Sequence, residues 1–363
     1  MKIKNILRRL SLSLSKNFSV LNRSIMAFAM CLLCFGCTEV KVEKKKKPST
    51  CPQMEIFDLR FNSKEFDEIC RRLAKLDLTV VAPGCGIDAS QTRLMRLLIS
   101  KYRVNIPPDA MGNKGFYYSS DSEENRLKFF EIAVKSQHPI IWAMRGGFGT
   151  NFIISDLDKR PIPKVKKTLV GFSDTVSLQL FVTQKWGWKA IHAPVMIHLA
   201  EGNFSKCNFD TLLDILEERL DQYTIDKVYP INDIARNSKY VTGKLTGGNL
   251  TLIQASIGTC WEIQTHGKIL FIEDNYMKPH WIYRSMYHLK ESGRLHGVKA
   301  IVFGRFVSGG EQKEIGRFLC KFADEVDIPV YITDQFGHGN HNKPLIYNAV
   351  ATFHDNKMTI KVK

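Results

Sequence analysis

The chain has 363 residues, 44% of them apolar and 24% charged, with a formal net charge of +16. That composition excludes a disordered or low-complexity protein, and the length exceeds one ordinary hydrophobic core. The charge invites a nucleic-acid reading, but residues 1–50 hold eleven Lys or Arg against two Glu, which is +9, and leave +7 for the rest of the chain. No stripe of Arg and Lys interleaved with aromatics runs through that body, so no nucleic-acid partner is expected. A mildly basic body still attracts an anionic or carboxylate-ended substrate.

In chain order, the first feature is targeting rather than fold. Lys2, Lys4, Arg8, Arg9, Lys16 and Arg23 precede the apolar run "SIMAFAMCLLCFGC", residues 24–37. The run is too short to span a bilayer and has the layout of a signal peptide. It ends in Gly36-Cys37 with Leu33 four places before, which resembles the lipobox of bacterial lipoproteins and makes Cys37 a candidate lipid anchor. "KVEKKKKPST" then reads as a charged tether, so residues 1–50 are taken as leader and tether. The expected location is the bacterial cell envelope, with a cytoplasmic location as the alternative if the leader is not used. Of nine cysteines, four lie in the first 51 residues; Cys70, Cys85, Cys207, Cys260 and Cys320 are scattered and form no disulfide framework.

From about residue 77, short apolar runs alternate with amphipathic ones. "LTVVAPG" reads as a strand and turn, "QTRLMRLLISKY" and "SDSEENRLKFFEIAVKS" as helices, and "PIIWAM" as a strand followed by the loop "RGGFGT". "KTLVGF" is a strand, and Val176 and Leu180 open a helix beyond it. Residues 200–240 are more polar, with one helix at 209–220, and read as a crossing between domains. Then come strand "GKILFIED", helix "WIYRSMYHLKESG", strand "VKAIVFGRF", helix "EQKEIGRFLCKFADEV" and strand "IPVYITD", closing with a hairpin around Asp355-Asn356. The alternation predicts an α/β protein with a mainly parallel sheet covered on both faces.

Four polar clusters fall at strand ends: Gly146-Gly147-Phe148-Gly149, Ser173-Asp174, Glu273-Asp274 and, a few residues past "VYITD", His338. In open α/β sheets ligands gather outside the carboxyl ends of strands. Ser173 sits at a strand-to-helix corner, where its hydroxyl is either a nucleophile or a plain helix N-cap. Serine hydrolysis needs a nucleophile, a base and an orienting acid, and Ser173, His338 and Glu273 can fill those roles. Each has a bland alternative: Glu273 as a surface carboxylate, Asp274 as the orienter in its place, and His338 as a loop residue. With His341, His338 also forms an H-x-x-H spacing, but no carboxylate follows at an interval convincing for a metal site. "RGGFG" lacks the following Lys-Ser or Lys-Thr of a Walker motif, and "GGNL" at 247–250 reads as a tight turn.

Several stretches resemble the L,D-carboxypeptidase family of serine peptidases. They are "APG" at 82–84, "MRGGFGTNFIISDLD" at 144–158, "VGFSDTVSLQLFVTQKWGWKAIHAPV" at 170–195, "GKLTGGNLTLIQASIGT" at 243–259, "ILFIEDNY" at 269–276 and "GHGNHNKPL" at 337–345. The resemblance implies a Ser173-Glu273-His338 triad, with the backbone N–H groups of Asp174 and Gly147 as oxyanion donors. It also implies a Rossmann-like N-terminal domain at 76–199, a smaller swivelling β/α/β C-terminal domain at 241–363, a site between them and a homodimer. The family's H-G-P stands here as His192-Ala193-Pro194, and its D-R as Tyr283-Arg284.

The expected activity is hydrolysis of the L,D bond to the terminal D-alanine of peptidoglycan tetrapeptides, with a muropeptide as substrate and no metal or organic cofactor. The alternatives are a self-immunity peptidase that cleaves a peptidyl-nucleotide antibiotic, in which Trp186 and Trp188 would stack on a base although they read more simply as packing around the helix end, and a non-catalytic muropeptide-binding module.

Overall fold

The computed structural model of the chain describes residues 63–111, 118–201, 205–307 and 311–363. The leader, the tether and Cys37 lie outside the described residues.

The first sheet is built from β1 (Leu78–Val81), β2 (Ile140–Ala143), β3 (Thr168–Gly171) and β4 (Lys189–His192), all parallel and in that order. Period-two alternation gives each face its own apolar set. Ile141, Leu169 and Ala190 point to one side, where α3 (Glu123–Lys135) and α5 (Val176–Lys185) pack; α4 (Ile154–Asp158) lies between them in sequence. Ile140, Trp142, Val170 and Ile191 point to the other, against α1 (Ser63–Leu73), α2 (Ala89–Tyr102), α6 (Met196–Glu201) and α7 (Lys206–Leu216). Helix α2 starts two residues before the apolar pattern shows it, because Asp88 and Gln91 close a capping box. Ser122 caps α3, with Glu123 and Glu124 in its first turn.

The second sheet has eight strands. Its centre is parallel: β7 (Val241–Asn249), β8 (Lys268–Asn275), β9 (Ala300–Val307) and β10 (Val330–Gly337). Helices α9 (Leu250–Ser256), α10 (Pro279–Glu291) and α11 (Gln312–Asp324) connect them. On one side β12 (Val350–His354), β13 (Lys357–Lys361) and β5 (Gln222–Ile225) pair antiparallel, and β6 (Tyr229–Pro230) closes the other edge. The β12–β13 turn places Asp355 and Asn356 at φ 46° and 57°, the left-handed pair that a two-residue hairpin needs.

Two features depart from the sequence reading. The segment 200–240 is structured rather than a bare connection: α7 covers the first sheet, β5 and β6 join the second, and α8 (Asp233–Asn237) follows, capped by Asn232. The GGNL glycines are the end of β7 rather than a bare turn. A Cβ on Gly247 would stand 1.9 Å from the Phe271 carbonyl oxygen, so β7 and β8 approach there as only glycine allows. In addition β11 (Leu345–Ile346), from the C-terminal part, adds antiparallel to β4. One apolar cluster runs from Ile141 and Leu169 through α5 to Leu245, Phe271 and Phe303, so the two sheets share a core.

Candidate active site

The strand β3 ends at Gly171, Phe172 is extended, and Ser173 turns into the left-handed region at φ 59° before a short 3₁₀ turn leads into α5. A serine there is strained and held out from the sheet, as a nucleophile on a sharp corner requires. The corner is packed too closely for side chains. A Cβ on Gly171 would meet Thr175 at 2.5 Å, and one on Gly146 would meet the Ser173 Cβ at 2.8 Å. Ser173 does not cap α5: it is Thr175 that stands at the helix start, with no side-chain cap bond.

Ser173, Glu273 and His338 come together. Ser173 Oγ lies 3.2 Å from His338 Nε2, and His338 Nδ1 hydrogen-bonds Glu273 Oε2. With the proton on Nδ1, Nε2 is free to accept from the serine hydroxyl. Glu273 is the third residue from the end of β8 and is fully buried, so it is not a surface carboxylate. Burial alone would push its carboxyl up; the neighbouring His338 and His192 imidazoles outweigh it and hold the group below the ordinary carboxylate range. His338 follows Gly337, whose φ of +107° lets the chain turn against Arg305 and the Glu273 Cβ. The imidazole leans on Phe172, ring centroids 4.3 Å apart.

The glycine loop closes the other side. Gly147 has φ +102°, and a Cβ on it would lie 2.2 Å from the Cys85 sulfur, so this loop and the turn after β1 are in contact. Arg126, buried in α3, ties the same loops together: its guanidinium donates to the Pro83 and Gly149 carbonyls, the latter at 2.6 Å. The Asp174 carboxyl accepts the Thr150 N–H at 2.8 Å, with burial pushing it upward. The Asp174 N–H belongs to the first residues of the turn, where a helical start leaves its donors without an acceptor inside the helix.

Asp274 is no orienter. Its carboxyl accepts from the Asn249 side chain at 2.8 Å and from Thr251 N–H at 2.9 Å, which fixes the start of α9. Trp186 and Trp188 are buried, and the Trp186 ring packs on Phe130, Phe181 and Trp188, so they are core. Among the described residues no group of three or more His, Cys, Asp or Glu is placed to hold a metal ion. Two histidines of the site escaped the sequence reading. His198 packs on Phe172; desolvation, His338 and Arg145 bring its imidazole down to about 3. His192 lies against Glu273 from the far side, Nε2 to Oε1 3.5 Å. The signal for it was available: like the other site residues, it closes a parallel strand at its carboxyl end.

Comparison with known proteins agrees with this architecture. Residues 78–193 match the family model of the LD-carboxypeptidase N-terminal domain, and residues 242–353 that of the LD-carboxypeptidase C-terminal domain. A Rickettsia conorii protein provisionally named a carboxypeptidase is 41% identical over 277 residues, 76% of this chain and 87% of its own. The murein tetrapeptide carboxypeptidase of Pseudomonas aeruginosa is 28% identical, covering 67% of this chain and 81% of its own. Escherichia coli microcin C7 self-immunity protein is 26% identical over 60% of this chain and 72% of its own. Among solved structures, muramoyltetrapeptide carboxypeptidase from Oxalobacter formigenes superposes with a TM-score of 0.64 at 24% identity, over 78% of this chain and 97% of that one. The chain belongs to the LD-carboxypeptidase family.

Proposed function

We propose that the protein is a serine L,D-carboxypeptidase that removes the terminal D-alanine from peptidoglycan tetrapeptides. The observation that carries the reading is the unbroken contact from Ser173 Oγ through the His338 ring to Glu273. In the proposed reaction His338 Nε2 takes the serine proton as Oγ attacks the carbonyl carbon on the L-centre of the diamino acid. The N–H groups of Asp174 and Gly147 receive the oxyanion. As the tetrahedral intermediate collapses, the C–N bond breaks and His338 returns the proton to the departing D-alanine amine. Water, activated by the same imidazole, then hydrolyses the acyl-Ser173 ester. Glu273 stays ionised throughout and stabilises the imidazolium.

The relatives named for murein tetrapeptides support the substrate class. The self-immunity relative keeps a peptidyl-nucleotide as the competing substrate, but the buried Trp186 and Trp188 are not free to stack on a base. Mass spectrometry decides between them: purified tetrapeptide is expected to lose one alanine and become tripeptide, while a peptidyl-adenylate mimic stays intact. Binding without alanine release would leave a muropeptide-binding module instead. The leader sequence supports an exported protein anchored at Cys37, and the family supports a homodimer. Intact mass of the mature chain and its sedimentation test these two points.

A further inference from the structure

We propose that His192 is a positioning residue that holds the catalytic acid from behind, so that the working unit is a chain of four: Ser173, His338, Glu273, His192. This rests on the peptidase reading above and extends it by one residue. The two oxygens of Glu273 face two different imidazoles. Oε2 takes the His338 Nδ1 proton, and Oε1 lies 3.5 Å from His192 Nε2. Glu273 and His192 are both fully buried. Oε1 and both His192 ring nitrogens have no other hydrogen-bond partner among the described residues.

A buried carboxylate oxygen without a donor carries its full desolvation cost. Among the described residues, the donor that faces Oε1 is the His192 Nε2–H. The geometry therefore requires a proton on Nε2, and it offers no acceptor for a second one on Nδ1. The ring is fixed in that orientation by apolar walls, Phe172 at 5.0 Å and Phe271 at 5.3 Å between centroids. Its backbone is fixed as well: His192 pairs with Gly171 of β3 and with Leu345 of β11. The same strand pair thus presents the nucleophile's turn on one side and the support of the acid on the other. Without His192, Glu273 could rotate or draw in water at Oε1, and His338 would lose the fixed tautomer that leaves Nε2 open toward Ser173.

The test uses the full chain with ¹⁵N-labelled histidine rings, whose correlations to the ring C–H protons report which nitrogen carries the proton. The His192 signals are assigned by their loss in His192→Gln. His192 is expected to carry its proton on Nε2 with Nδ1 bare; a proton on Nδ1 overturns the proposal whether or not any variant folds. Kinetics give the second readout. His192→Phe keeps a ring in the apolar slot and removes the donor, so kcat on the tetrapeptide is expected to fall roughly tenfold to a hundredfold with KM nearly unchanged, as for outer partners of functional histidines elsewhere. His192→Gln, whose amide can donate to the same oxygen, is expected to recover most of that loss. No loss in Phe, or equal losses in folded Phe and Gln variants, overturns the proposal. Failure of the peptidase reading looks different: Ser173→Ala would stay active while the His192 tautomer stayed as stated.

Discussion

At the scale of single residues, two buried groups of the site, Glu273 and His198, are held far from their ordinary pKa values. Glu273 is held low by two imidazoles, and His198 is held down to about 3 by desolvation, with His338 and Arg145 beside it. A pH–rate profile of kcat/KM probes the second of these at its acid limb. Replacing His198 with Gln is expected to leave that limb in place, because a ring already neutral throughout the working range contributes no charge to lose; a displaced limb in the pH–rate profile would contradict this. Glu273 also makes a stability prediction. Its folded-state pKa lies below its unfolded value, so the ionised group stabilises the fold above the ordinary carboxylate range, and that contribution is lost as pH falls through the depressed value. Thermal melts across the acid range should therefore fall less steeply for Glu273→Gln than for the parent chain. Equal steepness would mean that the carboxyl is not held low. Ser173, Glu273 and His338 were legible because each follows an apolar strand pattern with a reactive residue type. The second imidazole was passed over: His192 in "KAIHAP" also ends a strand, but what it faces shows only once its strand neighbours are known.

Among the elements, the corner at Ser173 depends on glycines more than on the serine itself. Gly146 has no room for a methyl group, since its Cβ would stand 2.8 Å from the Ser173 Cβ and 3.0 Å from the Phe172 carbonyl oxygen. Gly146→Ala is expected to fold, to displace the nucleophile or the loop by several tenths of an ångström, and to lower kcat by about a hundredfold, the usual effect of misplacing a reacting group. Activity within twofold of the parent would show that the loop does not set the position of Ser173. The long amphipathic elements were readable in the sequence: α3 from its Ser122 cap and acidic first turn, β8 and β9 from their apolar runs. Three kinds of element were not. β4, "KAIH", has only two apolar residues between a lysine and a histidine, where β1 and β2 are longer apolar runs. β7, "VTGKLTGGN", carries three glycines and a lysine and lacks β-propensity; its pairing with β8 and β12 makes it a strand. Helix α1, "SKEFDEICRRL", was passed over, although its apolar face covers the first sheet.

For the whole molecule, the described residues from 63 onward fall in one compact unit. The shared core gives the reason, and Tyr347 illustrates it. Its ring packs on Phe271 of the second sheet, its hydroxyl donates to the Gly247 carbonyl at 2.9 Å, and its N–H bonds the Ala190 carbonyl of the first sheet at 3.0 Å. The sequence predicted the two groups of α/β elements but not this interlock, which rests on contacts between distant segments. Thermal unfolding followed at secondary structure and at aromatic packing should give one coincident transition. Tyr347→Phe should lower it as a whole, by about 1–2 kcal/mol for the unpaired Gly247 carbonyl. Two separated transitions, with only one of them moved, would contradict a shared core.

In the proposed reaction Ser173 is the group that attacks. The most direct measurement is turnover of purified tetrapeptide by Ser173→Ala beside the parent chain, with matched circular dichroism and melting temperature. The account predicts that release of D-alanine falls by roughly four to six powers of ten. A folded Ser173→Ala protein that releases D-alanine at a rate near the parent's would contradict it.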